Sequence, residues 1–293
     1  MALVLNTNVA ALNGARNLAK TQDLQSQTFN RLSTGLRINS AKDDAAGLYL
    51  AQSQTKDIRG LNMATRNAGD GISLAQTAEG ALDQITSNLQ RINELAIQSA
   101  NGTYNTDARK GLQKEVDQLT QEIKRVVETT EFNGQKLLNS QAKTLTLQVG
   151  FKGHGTTGAA SRVDAGIISG GLAKGGVTGN ALSAIIGGSL TASGTVKIGT
   201  QTNAQSAITL TRDAIDSMSA MRATFGAVMN RFEAVISGNQ IYSENLSAAR
   251  SRVQDADFAA ETSNLAKQQV LQQAGVAALG QANASSQVVL GLL

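Results

Sequence analysis

The 293-residue chain has no cysteine, no proline and no tryptophan, and its aromatic residues amount to only 3%. Without cysteine there is no disulfide, no thiolate metal site and no cysteine nucleophile. Without proline, long helices can run unkinked, since no backbone N–H is missing and no ring collides with the preceding turn. Charge is scarce as well: Asp, Glu, Lys and Arg make up 16% of the residues, against about 25% in ordinary soluble domains. Ala, Gln, Asn, Ser, Thr and Gly take their place, and such groups lose less than a charge does when they are covered. That surface suits a protein whose neighbours will cover it. The net charge of +4 is dispersed along the chain, with no basic face interleaved with aromatics, so no nucleic-acid partner is expected. No run of about 18 apolar residues could cross a bilayer, and no membrane partner is expected. Residues Met1 to Asn8 lack the basic segment, apolar stretch and cleavage site of a secretory signal. Export, if it occurs, is expected to use a route that cleaves nothing.

The groups needed for catalysis are thin on the ground. His154 is the only histidine, and with no second histidine or cysteine neither a transition-metal site nor a Ser/His/Asp triad has material to build from. The stretch Gly170-Gly-Leu-Ala-Lys-Gly-Gly is not a phosphate loop, because Lys174 follows Ala and precedes Gly instead of Ser or Thr. Asp43 and Asp44 are adjacent, and facing pairs on a helix lie three or four apart, so they read as turn or helix-start carboxylates. Glu94 and Glu115 read as helix-surface groups. The expectation is a protein that is not an enzyme and takes no cofactor and no metal.

What the chain does have is periodicity. Leu61, Ala64, Ala68, Ile72, Ala75, Ala78, Leu82, Ile85, Leu89, Ile92 and Ala96 recur in steps of three and four only. Their mean spacing is that of a heptad stripe, and many are alanines that let neighbouring helices come close. Leu112, Val116, Leu119, Ile123 and Val126 repeat the pattern after the turn-forming Asn101-Gly102-Thr103. A third stripe runs through Ile215, Met218, Met221, Phe225, Val228, Phe232 and Val235. Three such helices can bundle. Between the second and third, Thr144–Val149 alternates like a half-buried strand. The segment from Gly150 to about Thr202 is Gly-rich, with strand-like pieces such as Thr195–Ile198. It reads as a small β-rich surface insertion, with a disordered loop as the competing reading.

The two ends share a character. Leu5, Val9, Leu12, Leu18, Leu24, Phe29, Leu32 and Leu36 at the front have helical but irregular spacing. So do Val253, Leu265 and Val270 at the back. The chain closes on an apolar tail containing Val288, Leu290, Leu292 and Leu293. A lone amphipathic helix of this kind is marginal in water. The economical partners are the opposite end of the same chain and further copies of it.

Several long motifs then occur in a distinctive order. Arg31-Leu-Ser-Thr-Gly-Leu-Arg-Ile-Asn-Ser-Ala-Lys-Asp-Asp-Ala-Ala-Gly47 resembles the amino-terminal signature of bacterial flagellins. The resemblance continues through Gly69–Leu82, Asn88–Asn101 and Thr130–Leu138, and it returns at Ala248–Phe258 and Leu271–Gly275. It covers about residues 1–150 and 205–293 and implies a mainly α fold. In that fold both chain ends form a long antiparallel helical bundle or coiled coil, with a β-hairpin near Leu145–Val149 and a small β-rich, Gly-rich insertion.

The implied domains are a terminal helical core of 1–42 plus 255–293 that orders on polymerisation, a rod-like domain of 43–150 plus 205–254, and a variable insertion of 151–204. The implied function is that of the filament subunit of the bacterial flagellum, extracellular and self-assembling. Its implied partners are its own copies, the flagellar cap and hook-junction proteins, an export chaperone at the carboxy-terminal end and the flagellar type III export apparatus. Contact with an animal Toll-like receptor is implied at Arg91, Leu95 and Glu115, with Asn93 standing where strongly stimulating members often carry Arg. Unlike many members, the chain has no proline in Ala282–Gln287, which implies a local change in the last helix. A hook–filament junction protein is the nearest alternative; a basic coiled-coil nucleic-acid-binding protein is the alternative from another class.

Overall fold

The structure, a computed structural model, describes residues 8–139, 145–152, 162–164 and 196–290, the side chains of 162–164 and 285–290 excepted. Among the described residues five helices dominate: α1 (Val9–Thr34), α2 (Ala45–Ala100), α3 (Thr106–Thr129), α4 (Gln201–Gln254) and α5 (Phe258–Leu290). Four short strands form two antiparallel pairs, β1 (Glu131–Phe132) with β2 (Gln135–Lys136), and β3 (Thr146–Gln148) with β4 (Arg162–Asp164). The chain divides into two compact units, residues 1–58 with 244–293 and residues 59–243. The boundaries expected from sequence, 42/43 and 254/255, fall instead at the breaks between helices. The units divide inside α2 and α4, at 58/59 and 243/244. Most of the expected 151–204 insertion lies outside the described residues, as do His154 and Gly170–Gly176.

The second unit is built on the heptad stripe of α2. Leu61, Ala64, Ala68, Ala75, Ala78, Leu82, Ile85, Leu89, Ile92 and Ala96 are all buried, while Ile72 is half-buried and Leu74 is buried beside it. Val116, Ile123 and Val126 of α3 and Met218, Met221, Phe225 and Phe232 of α4 complete the same core. Few polar groups interrupt it. Thr211 on α4 donates to the Asn93 amide oxygen on α2 at 3.0 Å, and outside the core the exposed Asp83 of α2 pairs with Arg222 of α4 at 3.0 Å. The α3 start is set by Asn105, whose side chain accepts from the Ala108 N–H at 2.8 Å, with Asp107 placed favourably at the positive end of the helix dipole.

The expected strand around Thr144–Val149 is present as β3, and its partner is β4, across a connection outside the described residues. A second, tight hairpin was not anticipated from the sequence. Asn133 (φ 50°) and Gly134 (φ 75°) both adopt left-handed backbone, the requirement of a two-residue type I′ turn, and Asn-Gly is its favoured pair. That dipeptide was a sufficient signal. The expected strand at Thr195–Ile198 is corrected: Val196–Ile198 joins no ladder. It alternates all the same, with Val196 and Ile198 buried and Lys197 exposed. A side chain takes the place of a neighbouring strand, since Gln113 donates to the Val196 carbonyl at 2.7 Å and accepts from the Ile198 N–H at 2.6 Å.

Gly71 marks a close approach. A Cβ there would lie 2.8 Å from the side chains of Leu147 on β3 and Phe232 on α4, and Phe232 is fully buried and unable to retreat. Gly71→Val is therefore expected to lower stability by about 1–3 kcal/mol through overpacking. Gly80→Ala, on the same helix with open space around it, should gain up to about 1 kcal/mol from helix propensity. Urea denaturation of the two variants reads both signs.

Candidate assembly interface

The first unit holds both chain ends as a helix pair. Asn8 caps α1 by accepting from the Ala11 N–H at 3.1 Å, and Gly35 ends it in left-handed backbone (φ 70°), its N–H bonded to the Arg31 carbonyl at 2.8 Å. Asp257 caps α5 by accepting from the N–H groups of Ala259 and Ala260. The pair is antiparallel, because contact positions fall along α5 as they rise along α1. The Asn8 side-chain amide donates to the Ala282 carbonyl at 3.1 Å, and Gly14 lies against Leu279. Leu18 lies against Gly275, Gln268 donates to Thr28 at 3.2 Å, and Arg31 pairs with Glu261 at 3.0 Å.

The seam between these helices is made mostly of small and polar residues, with Leu18, Leu32, Leu265 and Leu279 set among them. Ala11, Gly14, Leu18, Thr21, Gln25, Gln27, Thr28, Arg31 and Leu32 are the covered positions of α1, and Glu261, Leu265, Gln268, Gln272, Gly275, Leu279 and Ala282 are those of α5. Most of the large apolar residues point the other way. Val9 is 60% exposed, Phe29 60%, Phe258 66% and Val270 64%, and Leu12, Leu24, Leu271 and Val276 are exposed too. The pair is thus inverted relative to an ordinary helical hairpin: its intrachain contact leaves most of its large hydrophobes facing outward.

Of the residues singled out from sequence for assembly, Val9, Leu12, Phe29 and Val270 are exposed, and Leu18, Leu32, Leu36 and Leu265 are half-buried. Leu5, Leu292 and Leu293 lie outside the described residues, as do the side chains of Val288 and Leu290. Helix α5 runs without a break through Ala282–Gln287, the segment where a local change was expected.

The two helix breaks of this unit are tied together. The Arg37 N–H donates to the Gln254 carbonyl at 2.7 Å, the Ala256 N–H to the Gly35 carbonyl at 2.9 Å, and the Arg37 guanidinium to the Val253 carbonyl. The last carbonyls of α4, which no helix continues to satisfy, are closed by the segment following α1. Asp43 and Asp44 serve as turn and cap. Asp43 accepts from the Ser40 N–H, the Ser40 hydroxyl and the Asn39 N–H, and Asp44 accepts from the Gly47 N–H in the first turn of α2. Those bonds, the Ser40 backbone donor foremost, hold the Asp43 carboxyl below the usual aspartate range.

Sequence reasoning missed the Arg31–Glu261 pair, although Gly14 and Gly275 inside helical patterns already signalled a close approach. Glu261 is 7% exposed in a seam with no other acid. Arg91, Leu95 and Glu115, the positions that the resemblance implies for receptor contact, belong to the second unit. Arg91 donates to Glu115 at 2.9 Å and to Glu94 at 3.0 Å, and all three are well exposed. The Glu94 bond first, then Glu115, raises the Arg91 pKa above its already high value. Leu95 is 1% exposed and packs in the core.

These features define a class, the helical structural subunit whose paired ends present apolar surface outward. The pattern of the bacterial flagellin N-terminal helical region matches residues 5–143, and that of the C-terminal helical region matches residues 208–293. A flagellin of Halalkalibacterium halodurans is 42% identical over 291 residues, covering 99% of this chain and all of that protein. A flagellin of Xenorhabdus nematophila is 41% identical, covering the whole of both chains. A solved structure of a putative flagellar hook-associated protein from Vibrio parahaemolyticus matches with a TM-score of 0.55 at 12% identity, over 73% of this chain and 100% of that one; it bears on the fold alone. The chain belongs to the bacterial flagellin family and is a structural subunit of the extracellular flagellar filament.

Glu261→Ala strands the half-buried Arg31 guanidinium, and a cost of about 1–3 kcal/mol to the α1–α5 pairing is expected. Faster amide hydrogen exchange along α1 would register it. The folded pKa of Asp43 lies below its unfolded value, so its stabilisation is complete above the ordinary aspartate range and is lost as pH falls through the lowered folded value. Acid should therefore open the 39–44 turn in the native chain, and Asp43→Asn should open it already at neutral pH, both read by limited proteolysis.

Proposed function

We propose that the outward apolar face of α1 and α5 is the polymerising surface, and that the terminal unit becomes fully ordered only when neighbouring subunits cover it. The observation that carries this reading is the inverted pair: a seam mostly of small and polar residues with four leucines, and eight large hydrophobes outside. Covering the eight exposed large side chains of these two helices would release about 1 kcal/mol each, about 8 kcal/mol per subunit in gross terms. Association entropy takes back part of that, so each subunit needs several neighbours, as a filament lattice supplies. Scarce charge favours the same end, because α5 carries only Glu261 and Lys267 and has almost nothing charged to desolvate.

The finer partners are part of the same proposal, which the likeness to flagellins supports. The exposed α5 would be held by an export chaperone until passage through the flagellar type III apparatus without cleavage of a signal. Growth would then continue between the hook-junction and cap proteins. A proline-free chain suits this route, because refolding after export never waits for an X-Pro isomerisation. Arg91 and Glu115, as an exposed ion pair joining α2 and α3, are the groups positioned to meet an animal Toll-like receptor.

Deletion of 1–40 or of 255–293 is expected to leave a folded, helical monomer that forms no filaments when salt is added, as judged by electron microscopy. Filaments of normal length from either truncation would overturn the assignment. Arg91→Ala and Glu115→Ala should each reduce receptor-reporter activation while leaving assembly intact. Exposed ion pairs contribute about 0–1 kcal/mol to folding, so a loss of signal cannot then be laid to unfolding.

A further inference from the structure

The dipeptide Asn-Gly occurs in three described backbone settings: Asn13-Gly14 inside α1, Asn133-Gly134 in the β1–β2 turn, and Asn101-Gly102 between α2 and α3. Asn-Gly is the sequence at which the next backbone nitrogen can most easily reach the asparagine side-chain carbonyl, since glycine has no Cβ in the way. Identical local chemistry in three settings lets the structure alone discriminate. The Gly14 N–H is committed to the ladder of α1. Asn133 is pinned in left-handed backbone by the paired strands on either side.

Asn101-Gly102 is different. Both residues are exposed, nothing lies near Gly102, and the Gly102 N–H donates to no group among the described residues. The Asn101 side-chain oxygen accepts from the Thr103 N–H at 3.2 Å, which draws electron density from the carbon that would be attacked. The Asn101 backbone carbonyl belongs to the same peptide group as the Gly102 nitrogen. It accepts from the Arg109 guanidinium at 3.1 Å and from the Tyr104 N–H at 3.4 Å. A cation and a second donor on that oxygen stabilise the negative charge it carries when the Gly102 nitrogen loses its proton. This is the logic by which placed donors stabilise an oxyanion. Arg109 is itself held by donating to the Ser99 carbonyl at 3.0 Å.

We propose that Asn101 is a self-modifying site, converting to aspartyl and isoaspartyl residues with Arg109 as its positioning and charge-stabilising residue. The Gly102 N–H gives its proton to water, and the nitrogen bonds to the Asn101 side-chain carbon. The bond to the side-chain nitrogen then breaks, and ammonia leaves with a proton to close a succinimide. Water adds to either imide carbonyl, and no oxidant or reductant takes part. The product is a new carboxylate beside Arg109. In the wider-looped product the backbone is also lengthened by one carbon between α2 and α3. In an extracellular subunit, out of reach of cytoplasmic repair, the change accumulates with age.

The test is peptide-resolved mass spectrometry of the purified full-length protein, incubated at neutral pH and sampled over time, with isoaspartate methylation as a second readout. Conversion is expected at Asn101 first, then Asn133, with Asn13 unchanged. Arg109→Gln should slow Asn101 roughly tenfold, less than the loss of an enclosed oxyanion donor because this site is open to water, and should leave Asn133 as it was. Arg109→Lys, which keeps the cation, should lie between. Equal rates at Asn101 and Asn133 in the unaltered protein would overturn the proposal. An unchanged Asn101 rate in Arg109→Gln would overturn the role of Arg109. Should that variant unfold, conversion at Asn13 would reveal it, and the ranking in the unaltered protein still decides the matter.

Discussion

The contact on which the rest depends is the seam between α1 and α5, where Gly14 meets Leu279 and Leu18 meets Gly275. Close approach at glycine and alanine positions lets the two ends pair with little apolar area. Hydrogen bonds and one ion pair, Asn8 to Ala282, Gln268 to Thr28 and Arg31 to Glu261, then fix their register. A conventional hairpin would turn Val9, Leu12, Phe29 and Val270 inward and be complete as a monomer. Here those residues remain exposed. In the proposed assembly, stability within the subunit and adhesion between subunits fall to different faces of the same two helices, and neither has to be given up for the other.

The second unit solves the opposite problem. Its α2 stripe is buried along nearly its whole length against α3 and α4, so the unit has no need of neighbours for its core. Its irregular pieces are attached by side-chain amides, not by sheet. Gln113 holds Val196 and Ile198, Asn67 donates to the Gln148 carbonyl, and Asn239 donates to the Val149 carbonyl. Single amides can satisfy buried backbone groups wherever a strand would not fit. The ends of the segment between 152 and 196 are thus anchored independently of what that segment contains.

Much of this was legible in the chain. A step of three and four sustained from Leu61 to Ala96 can only be a helix with one covered face, and every residue of the stripe except Ile72 is buried. The reading of Asp43 and Asp44 as turn and cap groups followed from their adjacency, and each carboxylate accepts from local backbone N–H groups. The type I′ hairpin at Asn133-Gly134 was equally legible and went unread. Thr195–Ile198 shows the limit of alternation as a signal, because period two reports which side chains are covered and says nothing about what bonds the backbone.

What the sequence determined by itself is therefore the helices, their covered stripes and, through motifs kept in order, the family. These are local or periodic properties, and a chain without proline and with little charge leaves few other ways to satisfy them. Tertiary structure decided which face of each end helix meets the other. Spacing in α1 and α5 is too irregular to choose between a seam of leucines and a seam of glycine, threonine and glutamine. That choice is made by close packing at Gly14 and Gly275 and by the Arg31–Glu261 pair, contacts between residues more than two hundred positions apart. No local pattern encodes a contact at that separation, and it is the one that leaves most of the large hydrophobes of the two end helices exposed.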